Sequence, residues 1–305
     1  MSGTAETVPI ADGAARAEVV PALGGGLARL DARDGEGWRA ILRPWSGEPS
    51  PLDLAMNVLL PWSNRMSRGG FEWDGARWDV PSNLEGEPCP LHGDAWQRSW
   101  WVVRRAEAEV VLALDGGTGP YRYEAELAYA IEAGALRATL RVVNRAGRAL
   151  PYGAGFHPWF PRAPGTRLKA PAAAMWREGP GHLPLDPAPV PLGGRDAPRF
   201  DEPAPLPKGW INAGFEGWSG RARLLWPDGR AVRIEASREL GRYVLYSPSG
   251  DAPFVCFEPV SHAIDAFHLD GGPERHGMRV LGDGAGWEVG CRLIPECAEE
   301  VGDGA

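Results

Sequence analysis

Four short segments concentrate ionisable and hydrogen-bonding side chains in sequence that is otherwise apolar or rich in glycine. They are NVLLPWSNRMSRGGFEWDG at 57–75, LHGDAWQRSW at 91–100, YGAGFHPWF at 152–160 and FVCFEPVSHAIDAF at 254–267. Histidine and glutamate serve enzymes as proton donors and acceptors, and arginine holds polar groups in a fixed orientation. Taken singly, Arg65, His92, His157 and Glu258 also have ordinary structural explanations, such as a turn residue or the end of a strand. Their combination therefore carries more information than any one of them.

The order of these segments resembles that of the aldose 1-epimerase, or galactose mutarotase-like, family. The matching pieces are Asn64-Arg65, Gly69 to Gly75, Leu91-His92-Gly93, His157-Pro158-Trp159-Phe160 and Glu258-Pro259. The run PYRYEAELAY at 120–129 also resembles the central strand of that family. The resemblance spans most of the chain and implies the family fold, a large antiparallel β-supersandwich with a sugar site on its open face.

The same resemblance implies an isomerase of carbohydrate metabolism that interconverts the α and β anomers of a free aldose. Opening the sugar ring requires removing a proton from the C1 hydroxyl and adding one to the ring oxygen, so one base and one acid suffice. Glu258 matches the family's general base and His157 its general acid. Histidine suits that role because its ordinary pKa, about 6.5, lets it give and retake a proton near neutral pH. No metal, nucleotide or other cofactor is expected.

Other matched positions are expected to hold the sugar rather than react with it. Arg65 and His92 match substrate-binding residues, and Asn64 is taken with them because it adjoins Arg65. The family usually carries an aspartate for sugar hydroxyls in a short Asp-x-x-Phe segment, but this chain has Asn212 there, three residues before Phe215. An amide offers one acceptor and one donor group, whereas a carboxylate only accepts. The preferred sugar or its affinity is therefore expected to differ from that of galactose-type members of the family.

The segments that must position these residues have the period-two pattern of strands. Apolar residues alternate through 121–131, and LRATLRVVN at 136–144 continues the pattern after a short turn, which predicts an antiparallel hairpin. RARLLW and RAVRIEAS flank Asp228-Gly229 as a second hairpin, and RYVLYS, FVCFEP and WEVGCRLI are further strand candidates. Because long amphipathic helical segments are absent between the strands, the pattern predicts an all-β antiparallel sandwich rather than a βαβ fold.

Glycine and proline are abundant, with 41 and 30 among 305 residues, and both interrupt helices. Strands and loops should therefore dominate, with only a few short helices. Thirteen prolines fall between Pro158 and Pro207, so the region at about 161–207 is predicted to be irregular or extended. It could link two domains or be a lid, but we favour a surface excursion within one domain spanning residues 1–305.

Charge and cysteine content exclude several classes of partner. The formal net charge is −8, so a nucleic-acid backbone would be repelled. No apolar run approaches the ~18 residues of a membrane span, and no secretory signal is visible, so a cytoplasmic protein is expected. The four cysteines, Cys89, Cys256, Cys291 and Cys297, form no CxxC pair and are expected to be reduced thiols, not zinc ligands. The expected partner is a monosaccharide, bound by a monomer or homodimer.

Three alternatives remain open from the sequence. A hexose-6-phosphate 1-epimerase of the same fold would need a cationic pocket for the phosphate. Arg68, three residues after Arg65, is weak evidence for such a pocket. A non-catalytic sugar-binding protein would have no need for both Glu258 and His157. Glycoside hydrolysis or lyase chemistry is less favoured, since hydrolysis usually requires two facing carboxylates. One of Trp62, Trp159 and Trp210, each beside a matched motif, is a candidate to stack on the sugar.

Overall fold

The structure is a computed structural model that describes residues 5–193 and 197–296; Cys297 lies outside these ranges. The strands in the described part of the chain are β1 Val8–Ala11, β2 Ala15–Val20, β3 Gly26–Asp34, β4 Gly37–Ala40, β5 Met56–Leu59, β6 Gly70–Trp73, β7 Ala76–Asp79, β8 Trp101–Arg105, β9 Glu109–Gly116, β10 Tyr123–Glu132, β11 Ala135–Asn144, β12 Leu150–Tyr152, β13 Gly155–Pro161, β14 Arg167–Lys169, β15 Ala174–Trp176, β16 Val190–Pro191, β17 Ala204–Pro205, β18 Ile211–Glu216, β19 Arg221–Leu225, β20 Ala231–Ala236, β21 Arg242–Ser247, β22 Phe254–Val260, β23 Arg279–Leu281 and β24 Gly286–Glu296. The helices are the α-helix α1 Gly272–Arg275 and the 3₁₀ helices Pro51–Asp53, Ser67–Gly69, Ala95–Gln97 and Pro180–His182. None of these described helices is long and apolar enough to cross a membrane.

Two large antiparallel sheets contain most of the strands. One has eleven strands in the order β1-β2-β3-β5-β13-β22-β21-β18-β15-β16, with β4 paired to β3. The other has nine strands in the order β17-β14-β19-β20-β24-β11-β10-β9-β8, and two small sheets pair β12 with β23 and β6 with β7. Every named strand pair is antiparallel. The all-β antiparallel supersandwich predicted from the sequence is therefore confirmed.

The two predicted hairpins are present, and their alternation explains how the sheets pack. β10 and β11 pair from Tyr123↔Asn144 to Glu132↔Ala135, and β19 pairs with β20 around the Asp228-Gly229 turn. Alternate residues of β10 are buried, as expected for a strand with one face against a core. That core is a continuous apolar cluster drawn from both large sheets. Burying one face of each sheet against the other is what stabilises this two-layer arrangement.

The proline-rich region 161–207 adds short strands to both large sheets. It supplies β14 and β17 to the nine-stranded sheet and β15 and β16 to the eleven-stranded sheet, with irregular segments between them. The region is thus extended where it pairs with a sheet. The assignment of one domain to residues 1–305 stays a prediction.

A stack of aromatic rings fixes three neighbouring strands of the eleven-stranded sheet from the core side. Phe215 of β18 stacks on Tyr243 of β21 with ring centroids 4.5 Å apart, and Tyr243 stacks on Phe257 of β22 at the same distance. The hydroxyl of Tyr243 donates to the carbonyl oxygen of Ala170, so this buried polar group is satisfied. Because strand side chains alternate, the residues next to these rings point to the opposite face of the sheet.

We call this opposite face of the eleven-stranded sheet the site face. Its side chains do not belong to the main apolar core, whereas their neighbours along each strand do. Along β13, β22, β21 and β18 the site face carries His157 and Trp159, Cys256 and Glu258, Val244 and Tyr246, and Asn212.

Candidate functional site

His157 and Glu258 face each other at the centre of the site face. The register of β13 and β22, with Gly155 opposite Val260 and Trp159 opposite Cys256, places His157 across from Glu258. Their side chains touch, with 3.3 Å between His157 Nε2 and Glu258 Oε1. Glu258 is 2% exposed and His157 8% exposed. A carboxyl group and an imidazole are thereby held in contact in a site that is nearly closed to water.

Burial moves the pKa values of the two groups in opposite directions. It raises the pKa of Glu258 to about 8, against the pull of the nearby Arg65 cation, because a buried carboxylate loses hydration. It lowers the pKa of His157 to about 3, since a buried imidazolium loses hydration too. Near neutral pH the pair therefore holds one proton, which rests on Glu258. Passing that proton to His157 gives a carboxylate and an imidazolium with the same proton count.

His157 is held from the side by a layered stack. Its ring lies against that of Trp159 at 5.0 Å and an interplanar angle of 18°. The guanidinium of Arg43 lies 4.2 Å from the centre of this Trp159 ring. Its Nη2 donates to the carbonyl oxygens of residues 52, 53 and 54. The Arg43 cation adds to burial in lowering the pKa of His157. The stack therefore orients the imidazole and favours its neutral form.

His92 is a neutral hydrogen-bond donor next to this pair. Its ring meets that of His157 edge-on at 5.4 Å. The backbone N–H of Asn64 donates to His92 Nδ1 at 2.9 Å, so the ring proton of a neutral His92 lies on Nε2. Burial lowers the pKa of His92 well below its ordinary value, and His157 and Arg65 add to this effect. Its Nε2–H can therefore donate to a sugar oxygen without carrying a charge.

Arg65 is anchored by an acidic residue, Glu87, that could not be identified from the sequence. Its Nε and Nη2 both donate to Glu87 Oε2, at 3.0 and 2.6 Å. Two of the five guanidinium N–H groups are used in this way, and the others leave capacity to bind a ligand. Glu87 lies in the loop between β7 and β8, where nothing in the local sequence distinguishes it from a solvated loop carboxylate.

Asn64 shapes the loop that carries Arg65. Its backbone has φ = 57°, its side-chain oxygen accepts from the N–H of Arg65 at 2.9 Å, and its carbonyl oxygen accepts from the N–H of His92. Asparagine tolerates this left-handed conformation better than most residues. The structure thus gives Asn64 a positioning contact with both neighbours, and its predicted contact with the sugar stays a prediction.

The segment after β22 supports the same loop from behind. His262 Nε2 accepts from the N–H of Ser63 at 2.9 Å, while Asp265 Oδ1 accepts from the N–H of Ser67 at 2.8 Å and contacts His268 Nδ1 at 2.7 Å. Burial lowers the pKa of His262 to about 4, so it remains a neutral acceptor. These contacts could not be identified from the sequence, because they join residues about 200 positions apart.

Asn212 lies on the same face as the central pair but two strands away from Glu258, on the order of 10 Å. It pairs in register with Tyr246 of β21. Its Nδ2 donates to Glu178 Oε1 at 2.9 Å. Neither Tyr246 nor Glu178 was identified from the sequence, because the first has the pattern of an ordinary strand residue and the second lies in the proline-rich region.

The three candidate tryptophans have different environments. Trp62 is buried and Trp159 stacks on His157, whereas Trp210 is 48% exposed beside Asn212. The Tyr246 ring is nearly perpendicular to the rings of the last two, with its centroid 6.4 Å from that of Trp159 and 5.5 Å from that of Trp210. Trp159 and Trp210 thus border the site, and Trp62 belongs to the core.

Gly93→Ala is expected to damage the site through the backbone. Gly93 has φ = +69°, and a Cβ atom there would lie 2.0 Å from the carbonyl oxygen of Leu60. We expect the free energy of unfolding to fall by about 3 kcal/mol and binding at the adjacent His92 to weaken. Gly75→Ala is the matched control, because Gly75 has φ = +72° but open space around its Cβ position. Urea unfolding of both variants tests this; equal losses would contradict the role of the Leu60 contact.

Comparison with known proteins agrees with the fold. The family model described as aldose 1-epimerase matches residues 6–293. The uncharacterized Escherichia coli K12 protein YphB is 34% identical over 264 residues, which cover 81% of this chain and 89% of that protein. A crystal structure from Escherichia coli K12, described as a candidate aldose 1-epimerase, has a TM-score of 0.88 and 30% identity, covering 96% of this chain and 99% of that one. A galactose mutarotase-like protein from Clostridium acetobutylicum has a TM-score of 0.83 at 21% identity, covering 95% of each chain, and shows the same fold.

Proposed function

The chain belongs to the aldose 1-epimerase family, and we propose that it is a mutarotase for a free, uncharged aldose. In this proposal Glu258 is the general base and His157 the general acid. Arg65, His92, Asn212 and Asn64 hold the sugar. The observation that carries the proposal is the buried contact between His157 Nε2 and Glu258 Oε1.

The chemistry of ring opening explains why such a contact is useful. The C1 hydroxyl and the ring oxygen are bonded to the same carbon, so the group that deprotonates the first and the group that protonates the second must be neighbours. The carboxylate and imidazolium form of the pair supplies a base and an acid together. The base takes the hydroxyl proton, the acid protonates the ring oxygen, and the C1–O5 bond breaks to give the open aldehyde.

Closing the ring returns the pair to its starting state. Rotation about C1–C2 presents the other face of the aldehyde, the ring hydroxyl gives its proton back to His157, and Glu258 returns the other proton to the C1 oxygen. No proton is gained or lost over the cycle. A pair that holds one proton near neutral pH is therefore sufficient, and the neutral donor His92 can stabilise the developing charge on a sugar oxygen.

The charges around the site favour a neutral sugar over a sugar phosphate. A phosphate dianion is usually bound by cations that are free to pair with it. Here Arg65 is paired with Glu87, and Arg43 is held by backbone carbonyl groups beside Trp159. Glu178 adds a carboxylate at the Asn212 side of the site. Arg68 is exposed to solvent.

Polarimetry of freshly dissolved α-anomers tests the proposal. We expect the enzyme to accelerate the decay of glucose, galactose, arabinose or xylose to its unchanged equilibrium rotation. The interconversion of the anomers of glucose 6-phosphate, followed by anomer-resolved NMR, should be accelerated less. Acceleration of the phosphate alone would replace the proposal with a hexose-6-phosphate 1-epimerase. Binding of sugars by calorimetry without any acceleration would indicate a sugar-binding protein.

The pH dependence of kcat/KM should report the shared proton. Above the raised pKa of Glu258, about 8, the pair loses that proton and retains a base without an acid. We therefore expect kcat/KM to be level from pH 5 to 7 and to fall by about tenfold per pH unit well above pH 8. The rate without enzyme is subtracted at each pH. A decline on the acid side with an ordinary histidine pKa would contradict a pair that holds one proton.

A further inference from the structure

A carboxylate and an amide form a second polar pair on the site face, away from the catalytic centre. Asn212 Nδ2 donates to Glu178 Oε1 at 2.9 Å, and both side chains are largely buried: Asn212 is 7% exposed and the Glu178 side chain 19%. The pair follows from strand register, because β15 pairs with β18 through Trp176↔Gly214 and the chain continues to bring residue 178 beside residue 212.

Two further donors hold the Glu178 carboxylate in place. Trp210 Nε1 donates to Oε2, and His182 Nδ1 contacts Oε1, each at 2.5 Å. His182 also stacks on Trp210 with ring centroids 5.4 Å apart. An ionised carboxylate offers about four acceptor positions. Three of them are filled by groups of this chain, so Glu178 is a rigid element rather than a mobile surface acid.

This rigid carboxylate decides which way the Asn212 amide points. The nitrogen and oxygen of an amide are assigned from their hydrogen bonds, and a carboxylate accepts but does not donate. Asn212 must therefore present its NH₂ group to Glu178, which turns its Oδ1 to the other side of the amide. Without Glu178, the amide could bind a ligand with either end. With Glu178 in place, its free end is an acceptor for hydroxyl groups.

A continuous wall of side chains connects this pair to the catalytic centre. Tyr246 lies opposite Asn212 in the β18–β21 register, and its ring contacts both Trp210 and Trp159 at nearly right angles. Burial raises the pKa of Tyr246, and the charges of Glu258 and Glu178 both add to that shift. The Tyr246 phenol thus lies within electrostatic reach of both carboxyl groups.

We propose that Glu178 is a positioning residue that fixes the Asn212 oxygen as an acceptor for a hydroxyl group of the sugar remote from C1. The inference rests on the proposed function. It assigns sugar selection to a pair of residues, one of them in the proline-rich region, and it defines the substrate class as aldoses with a hydroxyl donor at that remote position. Glu178 acts on binding through Asn212 and takes no part in proton transfer.

Exchanging the two functional groups tests the proposal. Glu178→Gln removes the constraint on the amide, so we expect KM to rise about tenfold with kcat within about twofold of wild type. Asn212→Asp places two carboxylates within hydrogen-bond distance, and their repulsion should raise KM at neutral pH by a similar factor. The double variant E178Q/N212D restores one donor amide and one acceptor carboxylate, so KM should return to within about threefold of wild type.

A series of substrates identifies the hydroxyl group. Glucose and its 2-, 3-, 4- and 6-deoxy derivatives are compared by polarimetry with wild type and E178Q. The tenfold effect of E178Q should disappear for the one derivative that lacks the recognised hydroxyl. Asp186→Asn is the matched control, because Asp186 belongs to the same region but pairs with Arg177 instead of Asn212, and it should leave KM unchanged.

The outcomes separate this inference from the proposed function. A wild-type protein that accelerates no sugar means that the proposed function is wrong and the inference falls with it. An active wild type whose double variant shows additive losses overturns the inference alone. So does an E178Q variant that lowers kcat or the melting temperature while KM stays unchanged, since that is the signature of a merely structural contact.

Discussion

Glu258→Gln is expected to lower kcat by about a thousandfold or more, within the 10²–10⁴ range that a general acid–base group contributes. Glutamine has the shape of the protonated carboxyl but cannot accept a proton from the C1 hydroxyl. Because burial keeps Glu258 protonated near neutral pH, the neutral amide should cost little stability. Polarimetry at saturating sugar measures kcat, and thermal unfolding shows whether the fold is intact.

Glu216→Gln is the matched control for this variant. Glu216 is a carboxylate of β18 that pairs with Arg242 at 2.6 Å and accepts from Trp176 Nε1. It does not contact the central pair, so we expect kcat within about twofold of wild type, although thermal stability can fall. Activity of E258Q within tenfold of wild type would show that the base has been assigned to the wrong residue.

His157→Asn is expected to lower kcat at pH 7 by about a hundredfold or more while changing KM by less than about threefold. Asparagine retains a hydrogen-bonding group near the sugar but cannot carry the exchangeable proton. The shape of the pH profile should also invert. With His157 absent, Glu258 acts only as a base, and it must be ionised to do so. Residual activity should therefore rise through pH 8, where wild-type kcat/KM falls.

This inversion distinguishes a chemical role of His157 from a structural one. A loss of sugar affinity alone, with kcat preserved, would contradict the acid role. A uniformly reduced rate with an unchanged pH profile would mean that the proton measured in wild type is not shared with His157. Single-turnover anomer conversion, followed by NMR over the same pH range, provides an independent readout.

Local pattern in the sequence was sufficient to predict much of the fold. The period-two runs in 121–131 and 136–144 form β10 and β11, because alternate burial is a property of each strand by itself. The runs RYVLYS and FVCFEP likewise correspond to β21 and β22. The sandwich class and the chemical types of His157 and Glu258 could therefore be recognised from short segments.

The geometry of the site depended on contacts between distant segments. Register between β13 and β22 decides that His157 meets Glu258, and a shift of one residue would turn one of them to the core. The pairing of Arg65 with Glu87 and the ring proton of His92 depend on how two loops pack together. The buried environment of the central pair, which separates its pKa values, exists only once these layers have closed.

Asn212 illustrates what the sequence and the tertiary structure each determine. The sequence alone determined that an amide stands at this position, and with it the donor and acceptor groups available there. Only the tertiary structure determined that Glu178, 34 residues earlier, binds its nitrogen. Residue type is fixed locally by the chain, whereas the orientation of a side chain is set by partners that the strand register brings beside it.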